Sequence, residues 1–329
     1  MGKDIKLFAM FNNPFTPESK KAKKSLLNKE VKSIRIFSQK IEKQIAENDP
    51  DVLVKYGPWE MKKSQAEFFY ALEDLLIKDY KDENGNKINR DQARAIIELK
   101  SHPADFFEIN EKGYIVKINL SVLQLKNLPL EIGKLRELEE LYCGHNKLKT
   151  LPAVIGHLTK LITLECSTNQ LTTLPSEIGF LKNLEHLTFY QNKKLKVFPP
   201  EICRLKKLAI LNFANCKIES LPLSFGNLRA LWSLECSHNR LTALPETIGN
   251  LENLDELICS ANQISEFPRT IGQLIALHRI QCNNNQLTEL PNEMENLNSL
   301  IYLDLRKNMF SPEQKKKIKK LLPRVQVRV

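Results

Sequence analysis

Residues 164–181 read "LECSTNQLTTLPSEIGFL". The tetrapeptide LECS returns at Leu234–Ser237, and an asparagine follows two residues later in both copies, Asn169 and Asn239. A recurring Glu-Cys-Ser triplet raises the question of a repeated thiol site or a metal ladder. The spacing of the surrounding leucines points to architecture. Pairs of the form Leu-x-x-Leu begin at Leu138, Leu161, Leu184, Leu208, Leu231, Leu254, Leu277 (with Ile280) and Leu300. The step is 23 residues, except 24 between Leu184 and Leu208, where the extra residue falls in "QNKKL". A degenerate copy starts at Ile115, so the array runs from about residue 113 to 310, roughly nine turns.

Within "LITLEC" the alternation puts Leu161, Leu164 and Cys166 inward and predicts a short strand. Parallel strands stack about 4.8 Å apart, so nine predict a curved sheet roughly 40 Å long. Asn146, Asn169, Asn192, Asn239, Asn262, Asn285 and Asn308 close the strands, and their amides are expected to satisfy buried backbone groups of neighbouring turns. Leu-Pro then sets an extended return, and Ile-Gly is expected to allow a tight bend on the convex side. Cys143, Cys166, Cys236, Cys259 and Cys282 share one inward position with Leu120, Phe189, Phe213 and Leu305. A slot that takes Cys, Phe or Leu wants an apolar filler, so these thiols read as buried packing. Cys216 stands in for the ladder asparagine and Cys203 for the glycine.

The pattern L-x-x-L-x-[LCF]-x-x-N-x-L-x-x-[LF]-P-x-x-I-G-x-L resembles the leucine-rich repeat family over about two-thirds of the chain. Its LP and IG elements are similar to the class of Ras-suppressor, scribble and plant Ras-group proteins, also abundant in prokaryotes. The resemblance implies an α/β fold: a right-handed leucine-rich-repeat solenoid with a curved parallel sheet on its concave face. It implies a protein partner, with a small GTPase or its regulator entering by analogy alone.

The ends differ. Residues 1–105 lack the repeat and read as a helical N-terminal domain that covers the first turn. Leu27, Val31, Ile34, Ile41 and Ile45 predict one helix; Ala66, Phe69, Leu72 and Leu76 predict a second within the stretch from Pro58 to Tyr80; a third runs from Asn89 to about Lys100. "DYKDENGNKIN" lacks Gly and Glu where a calcium loop needs them and reads as a polar turn. The solenoid spans 106–310, and residues 311–329 form a cap: Ser311 as N-cap, Pro312, Gln314 of a capping box, a helix stopped by Pro323, then an edge strand of Val325, Val327 and Val329.

Net charge is +10, and it belongs to the ends: +6 over residues 1–48 and +8 over 306–329, leaving about −4 between. No secretory signal, myristoylation signal or membrane-spanning run is read, and seven cysteines are an odd count for a disulfide framework, so the expected location is cytoplasmic.

Binding is expected at the outward strand positions, which vary from turn to turn. These residues are Glu140, Tyr142, Thr163, Glu165, His186, Thr188, Tyr190, Asn212, Trp232, Glu235, His238, Glu256, Ile258, Arg279, Gln281, Tyr302, Asp304 and Arg306. Aromatic anchors among acidic groups suit protein recognition, where such anchors carry most of the energy. The first six turns lean acidic and Arg279 and Arg306 reverse the sign, which fits a basic or mixed-charge protein partner and not DNA. Enzymatic readings fare poorly. The pairs Glu140/Glu165 and Glu235/Glu256 have no evident pocket, and no phosphate loop occurs. His145 and His238 stand four turns apart, about 19 Å, too far for one metal. No cofactor is expected, and the chain is read as a monomeric, non-enzymatic scaffold. A peripheral adaptor that uses the basic ends on membrane or nucleic acid is the alternative.

Overall fold

Residues 53–56, 59–82, 85–99 and 106–329 are described by the structure, a computed structural model. The helix expected around Leu27–Ile45 and the Lys20–Lys24 cluster lie outside the described residues. Eleven strands form one sheet in strict chain order, β3 to β13. They are β3 (Phe107–Ile109), β4 (Ile115–Asn119), β5 (Glu140–Tyr142), β6 (Thr163–Glu165), β7 (His186–Thr188), β8 (Ile210–Asn212), β9 (Ser233–Glu235), β10 (Glu256–Ile258), β11 (Arg279–Gln281), β12 (Tyr302–Asp304) and β13 (Gln326–Arg328). Only β3 runs antiparallel to its neighbour; all other pairs are parallel. From β5 to β12 the register pairs each residue with its repeat equivalent, as in Glu140 with Thr163 and Leu141 with Leu164. The sheet is therefore a solenoid wall, one short strand per turn.

Each turn returns on the outer side through a five-residue 3-10 helix, from Leu130–Lys134 to Asn292–Asn296. A proline precedes each, as Pro152 does at φ −69° and ψ 147°, which confirms the extended Leu-Pro return. The expected reason for the convex glycines needs correction. Among the described glycines only Gly85 and Gly113 have positive φ, so the Ile-Gly glycines need no special backbone angle. They are needed because the next turn comes too close. A Cβ on Gly226 would stand 2.3 Å from the Thr247 carbonyl oxygen, and one on Gly272 would stand 2.2 Å from that of Glu293.

The leucines fill the space between sheet and outer turns. Leu161, Leu164 and Cys166 are fully buried, as are Cys143, Cys236, Cys259 and Cys282. Burial pushes the Cys143, Cys166, Cys236 and Cys282 thiols up, away from the reactive thiolate. All seven cysteines are free.

The asparagine ladder is formed. In Asn262, Nδ2 donates to the carbonyls of Cys236 and Cys259, both at 3.1 Å, and Oδ1 accepts the Leu241 N–H at 3.0 Å. Asn146, Asn169, Asn192, Asn239, Asn285 and Asn308 repeat this bridge between turns. The residue before each ladder position is left-handed, with φ from 51° at His145 to 58° at Gln191. The sequence pattern hides this, because none of these residues is glycine.

Cys216 breaks the ladder. Its thiol reaches the Phe189 carbonyl at 3.6 Å, but it has no amide oxygen to offer. The N–H that would need that oxygen belongs to Leu195, and it donates instead to the Asn192 carbonyl at 2.9 Å. Leu195 closes the "QNKKL" loop, so the extra residue of the 24-residue turn brings the Leu195 N–H round to the Asn192 carbonyl, which replaces the acceptor that Cys216 lacks.

The N-terminal part is not purely helical. A hairpin, β1 (Leu53–Tyr56) and β2 (Trp59–Lys62), precedes α1 (Lys63–Asp79) and α2 (Arg90–Leu99). The helix expected in the Pro58–Tyr80 stretch thus starts at Lys63, because Trp59–Lys62 pairs with Leu53–Tyr56. Ala66, Phe69, Leu72 and Leu76 are buried as expected. Buried Glu73 accepts bonds from Tyr56 and from Arg94, whose Nε lies at 2.7 Å. α1 lies against the first convex turn: Lys126 Nζ meets Asp79 at 2.9 Å, Lys134 pairs with Glu67, and one apolar cluster runs from Tyr56 to Leu322. At the far end Ser311 caps α3 (Pro312–Leu321) by accepting the Gln314 N–H at 3.1 Å, and β13 follows as the last edge strand.

Asn262→Ala leaves the buried Leu241 N–H without its acceptor, at about 1–3 kcal/mol, and takes one of two amide donors from each of the Cys236 and Cys259 carbonyls. A loss of about 3 kcal/mol in urea unfolding is expected, whereas Cys216→Ala, already bypassed by the Leu195 bond, costs less than about 1 kcal/mol.

Candidate protein-recognition surface

The period of two along each strand sends the middle residue inward and its neighbours to the open side. From β5 to β12 the three strand residues show the alternation, with one buried residue between two more accessible ones, except at Asp304. The structure therefore brings together Glu140, Thr163, His186, Glu256, Arg279 and Tyr302 in one row, and Tyr142, Glu165, Thr188, Asn212, Glu235, Ile258 and Gln281 in the next. Tyr190 and Arg306 follow two residues after the second row, and His238 is exposed at the left-handed corner of its turn. Trp232, 45% exposed, stands just before β9.

Asp304 departs from expectation. It is 2% exposed, and the Arg306 guanidinium holds it through Nε at 3.0 Å and Nη2 at 2.6 Å. That arginine keeps the Asp304 carboxyl below the usual carboxylate range. Asp304 therefore shapes the surface rather than offering itself to a partner.

The second row also has a structural duty that the sequence pattern did not disclose. Glu165, Asn212, Glu235 and Asp304 each accept the backbone N–H two residues on, at 2.9–3.1 Å. The strand ends there, so the N–H needs an acceptor, and a carboxylate or amide of suitable reach provides it.

At the N-terminal end of the sheet, Lys117 Nζ lies 3.3 Å from Glu108 and 3.4 Å from Glu140. The Tyr142 hydroxyl donates to Glu140 at 2.7 Å. Burial, then that bond, pushes the phenol up to about 12. At the other end Arg279 and Arg328 stack over Tyr302, 4.9 and 5.5 Å from its ring centroid. Glu256 and Arg279 meet at 3.5 Å where the charge changes sign.

The position just before each strand adds residues that the sequence reading missed. Ile301 is 61% exposed, and His278 pairs with Asp255 at 2.5 Å. Both lie at the repeat offset of Trp232, and that offset would have found them. Among the described residues no group of three or more His, Cys, Asp or Glu is placed to hold a metal ion. No described helix is long and apolar enough to cross a membrane.

A parallel strand, an asparagine ladder and a 3-10 return, repeated every 23 residues, define a leucine-rich α/β solenoid with an open sheet face. The chain belongs to the leucine-rich repeat family: a model described as a leucine-rich repeat region matches residues 117–197 and 225–325, and a second, Leucine Rich Repeat, matches 207–228. No curated protein matches it. Among solved structures, the plant peptide hormone receptor RGFR1 in complex with RGF2 is 28% identical, with 67% of this chain and 43% of that chain covered and a TM-score of 0.54. The ectodomain of the Arabidopsis thaliana receptor kinase GASSHO1/SCHENGEN3 is 21% identical over 75% of this chain and 34% of its own, at a TM-score of 0.57, and shows the fold alone. A leucine-rich-repeat protein of Leptospira interrogans is 28% identical over 63% of this chain and 82% of its own, at a TM-score of 0.36. The chain thus spans less than half the length of the two plant receptors.

Burial pushes the Glu235 carboxyl above its ordinary value, and the Ser237 N–H only partly offsets this. A carboxyl raised in the fold contributes stability below the unfolded value of about 4.3, and loses it as pH rises through the folded value. Glu235→Gln keeps an oxygen for Ser237 and has no charge to bury. Its melting temperature is expected to gain on the parent's between about pH 4 and pH 7, measured by calorimetry at matched ionic strength.

Proposed function

We propose that the chain is a non-enzymatic scaffold that recognises a protein partner on the concave sheet. The observation that carries this is the set of accessible, unlike side chains on a rigid repeated wall, with Tyr142, Tyr190 and Trp232 among acidic neighbours. Such a wall offers aromatic anchors at fixed spacing and little conformational cost on binding. The likeness to a receptor in complex with a peptide hormone supports the reading.

The 23-residue LP and IG pattern supports placing the chain with Ras-suppressor, scribble and plant Ras-group proteins. A small GTPase or its regulator enters as partner through that analogy. The same reading makes the protein a cytoplasmic monomer.

A second reading rests on the C-terminal cap. Lys315, Lys316, Lys317, Lys319 and Lys320 crowd one ten-residue helix, and among the described residues none has an ion-pair partner. That cap would hold an anionic surface. Salt-sensitive liposome binding, lost when these lysines become glutamine, would favour it.

For the first reading, the variant Tyr142→Ala/Trp232→Ala/Tyr302→Ala is the test. Capture of partners from lysate by the tagged variant is expected to fall at least about tenfold, as for loss of central aromatic anchors. Unchanged capture with an unchanged melting curve would remove the concave face from consideration.

A further inference from the structure

The two LECS copies build the same local arrangement on the open face. Glu165 Oε1 accepts the Ser167 N–H at 2.9 Å, and Glu235 Oε1 accepts the Ser237 N–H at 2.9 Å. Beside each carboxylate sits a buried serine hydroxyl, Ser167 at 0% and Ser237 at 6% exposure, and neither hydroxyl reaches hydrogen-bonding geometry with a partner. The Ser237 hydroxyl lies close enough to Glu235 to favour its charged form. The Glu165 carboxylate packs into the space over Gly144. Gly144 has no side chain, and a Cβ there would stand 2.3 Å from Glu165 Oε2. Acidic groups in the adjoining row are paired, Glu140 with Lys117 and Glu256 with Arg279, yet among the described residues no lysine or arginine bridges Glu165 or Glu235.

The solenoid contains its own template for what such a carboxylate takes. Asp304 occupies the same row in β12, also accepts the N–H two residues on, and holds the guanidinium of Arg306 on both oxygens. Arg306 stands where Ser167 and Ser237 stand in their turns. A serine is too short to supply the cation, so these two carboxylates have the geometry of the Asp304 pair without its arginine. Asn119 and Asn212 cap in the same way but carry no charge.

β6 and β9 are three steps apart in the sheet, roughly 14 Å at the strand spacing. The rungs between them, at Thr188 and Asn212, are neutral. An extended chain that runs across the strands covers that distance in about four residues. We propose that Glu165 and Glu235 are twin sites for two basic side chains, arginines above all, set about four residues apart in one extended segment of the partner protein. This deepens the concave-face reading and rests on it. Polyanions are excluded as occupants, and neutral peptides gain nothing from the pair.

The test uses the full chain and labelled peptides on a Gly-Ser background, with two arginines about four positions apart, two adjacent arginines, or one. Fluorescence anisotropy at low salt is expected to rank the spaced pair at least about tenfold tighter than either control. Glu165→Gln and Glu235→Gln keep the oxygen that caps each serine N–H, so their melting curves serve as the folding check. Each is expected to weaken the spaced peptide about tenfold and to abolish the spacing preference. Equal binding of all peptides, or Gln variants equal to the parent, overturns the twin sites. If that happens while the triple aromatic variant still loses partner capture, the recognition surface stands without them. If the triple variant also captures normally, both readings fall.

Discussion

The buried asparagine amide is the interaction on which the rest depends. Each one ties the end of its own strand to the preceding turn, donating to two carbonyls and accepting one N–H. Without it, a chain that turns inward after three strand residues would bury a backbone N–H with no partner in every turn, at about 1–3 kcal/mol each. The ladder is what allows strands so short. Short strands leave room for the left-handed corner and the 3-10 return, and so set the pitch of the wall that presents the concave residues.

That wall and its binding surface are made of the same atoms. Glu165, Asn212 and Glu235 face outward, yet each closes a strand end through the N–H two residues on. A partner that competes for these groups acts on a cap as well as on a surface charge. The arrangement holds each carboxylate in one orientation before any partner arrives, which lowers the entropy lost on contact.

Much of the solenoid was legible because a repeat is read many times over. Position by position, Leu161, Leu164 and Cys166 could be compared with their equivalents in other turns, and the inward assignment followed. The same comparison removed Cys166 as a candidate nucleophile. What stayed hidden depends on which atoms meet in space rather than on the order of residue types along a turn. The glycines looked like bend residues, and only the approach of the Thr247 and Glu293 carbonyls gives the actual reason. Asp304 looked like a recognition residue until Arg306 was seen to cover it. The hairpin before α1 carries no repeat, so its strands rest on a weak local signal, and the helical spacing of Ala66, Phe69, Leu72 and Leu76 does not mark where the helix begins. The position of Ile301 was readable by analogy with Trp232 and was not read.

One consequence follows from the 24-residue turn. In a linear array each unit touches only its neighbours, so cooperativity is transmitted junction by junction. At Cys216 the amide bridge is missing, and Leu195 turns back on its own loop. Phe189 and Phe213 stack there with centroids 5.8 Å apart, and Phe198 packs edge-on against Phe213 and Phe225. The junction thus keeps its backbone bonds, Phe189 N–H to Asn212 and Gln191 N–H to Ala214, and replaces the amide bridge by apolar contact, which is less directional than a hydrogen bond. Ring packing there takes over the spacing that the amide sets elsewhere, so the distance between the turns that carry Glu165 and Glu235 is fixed in part by the size of three phenylalanines.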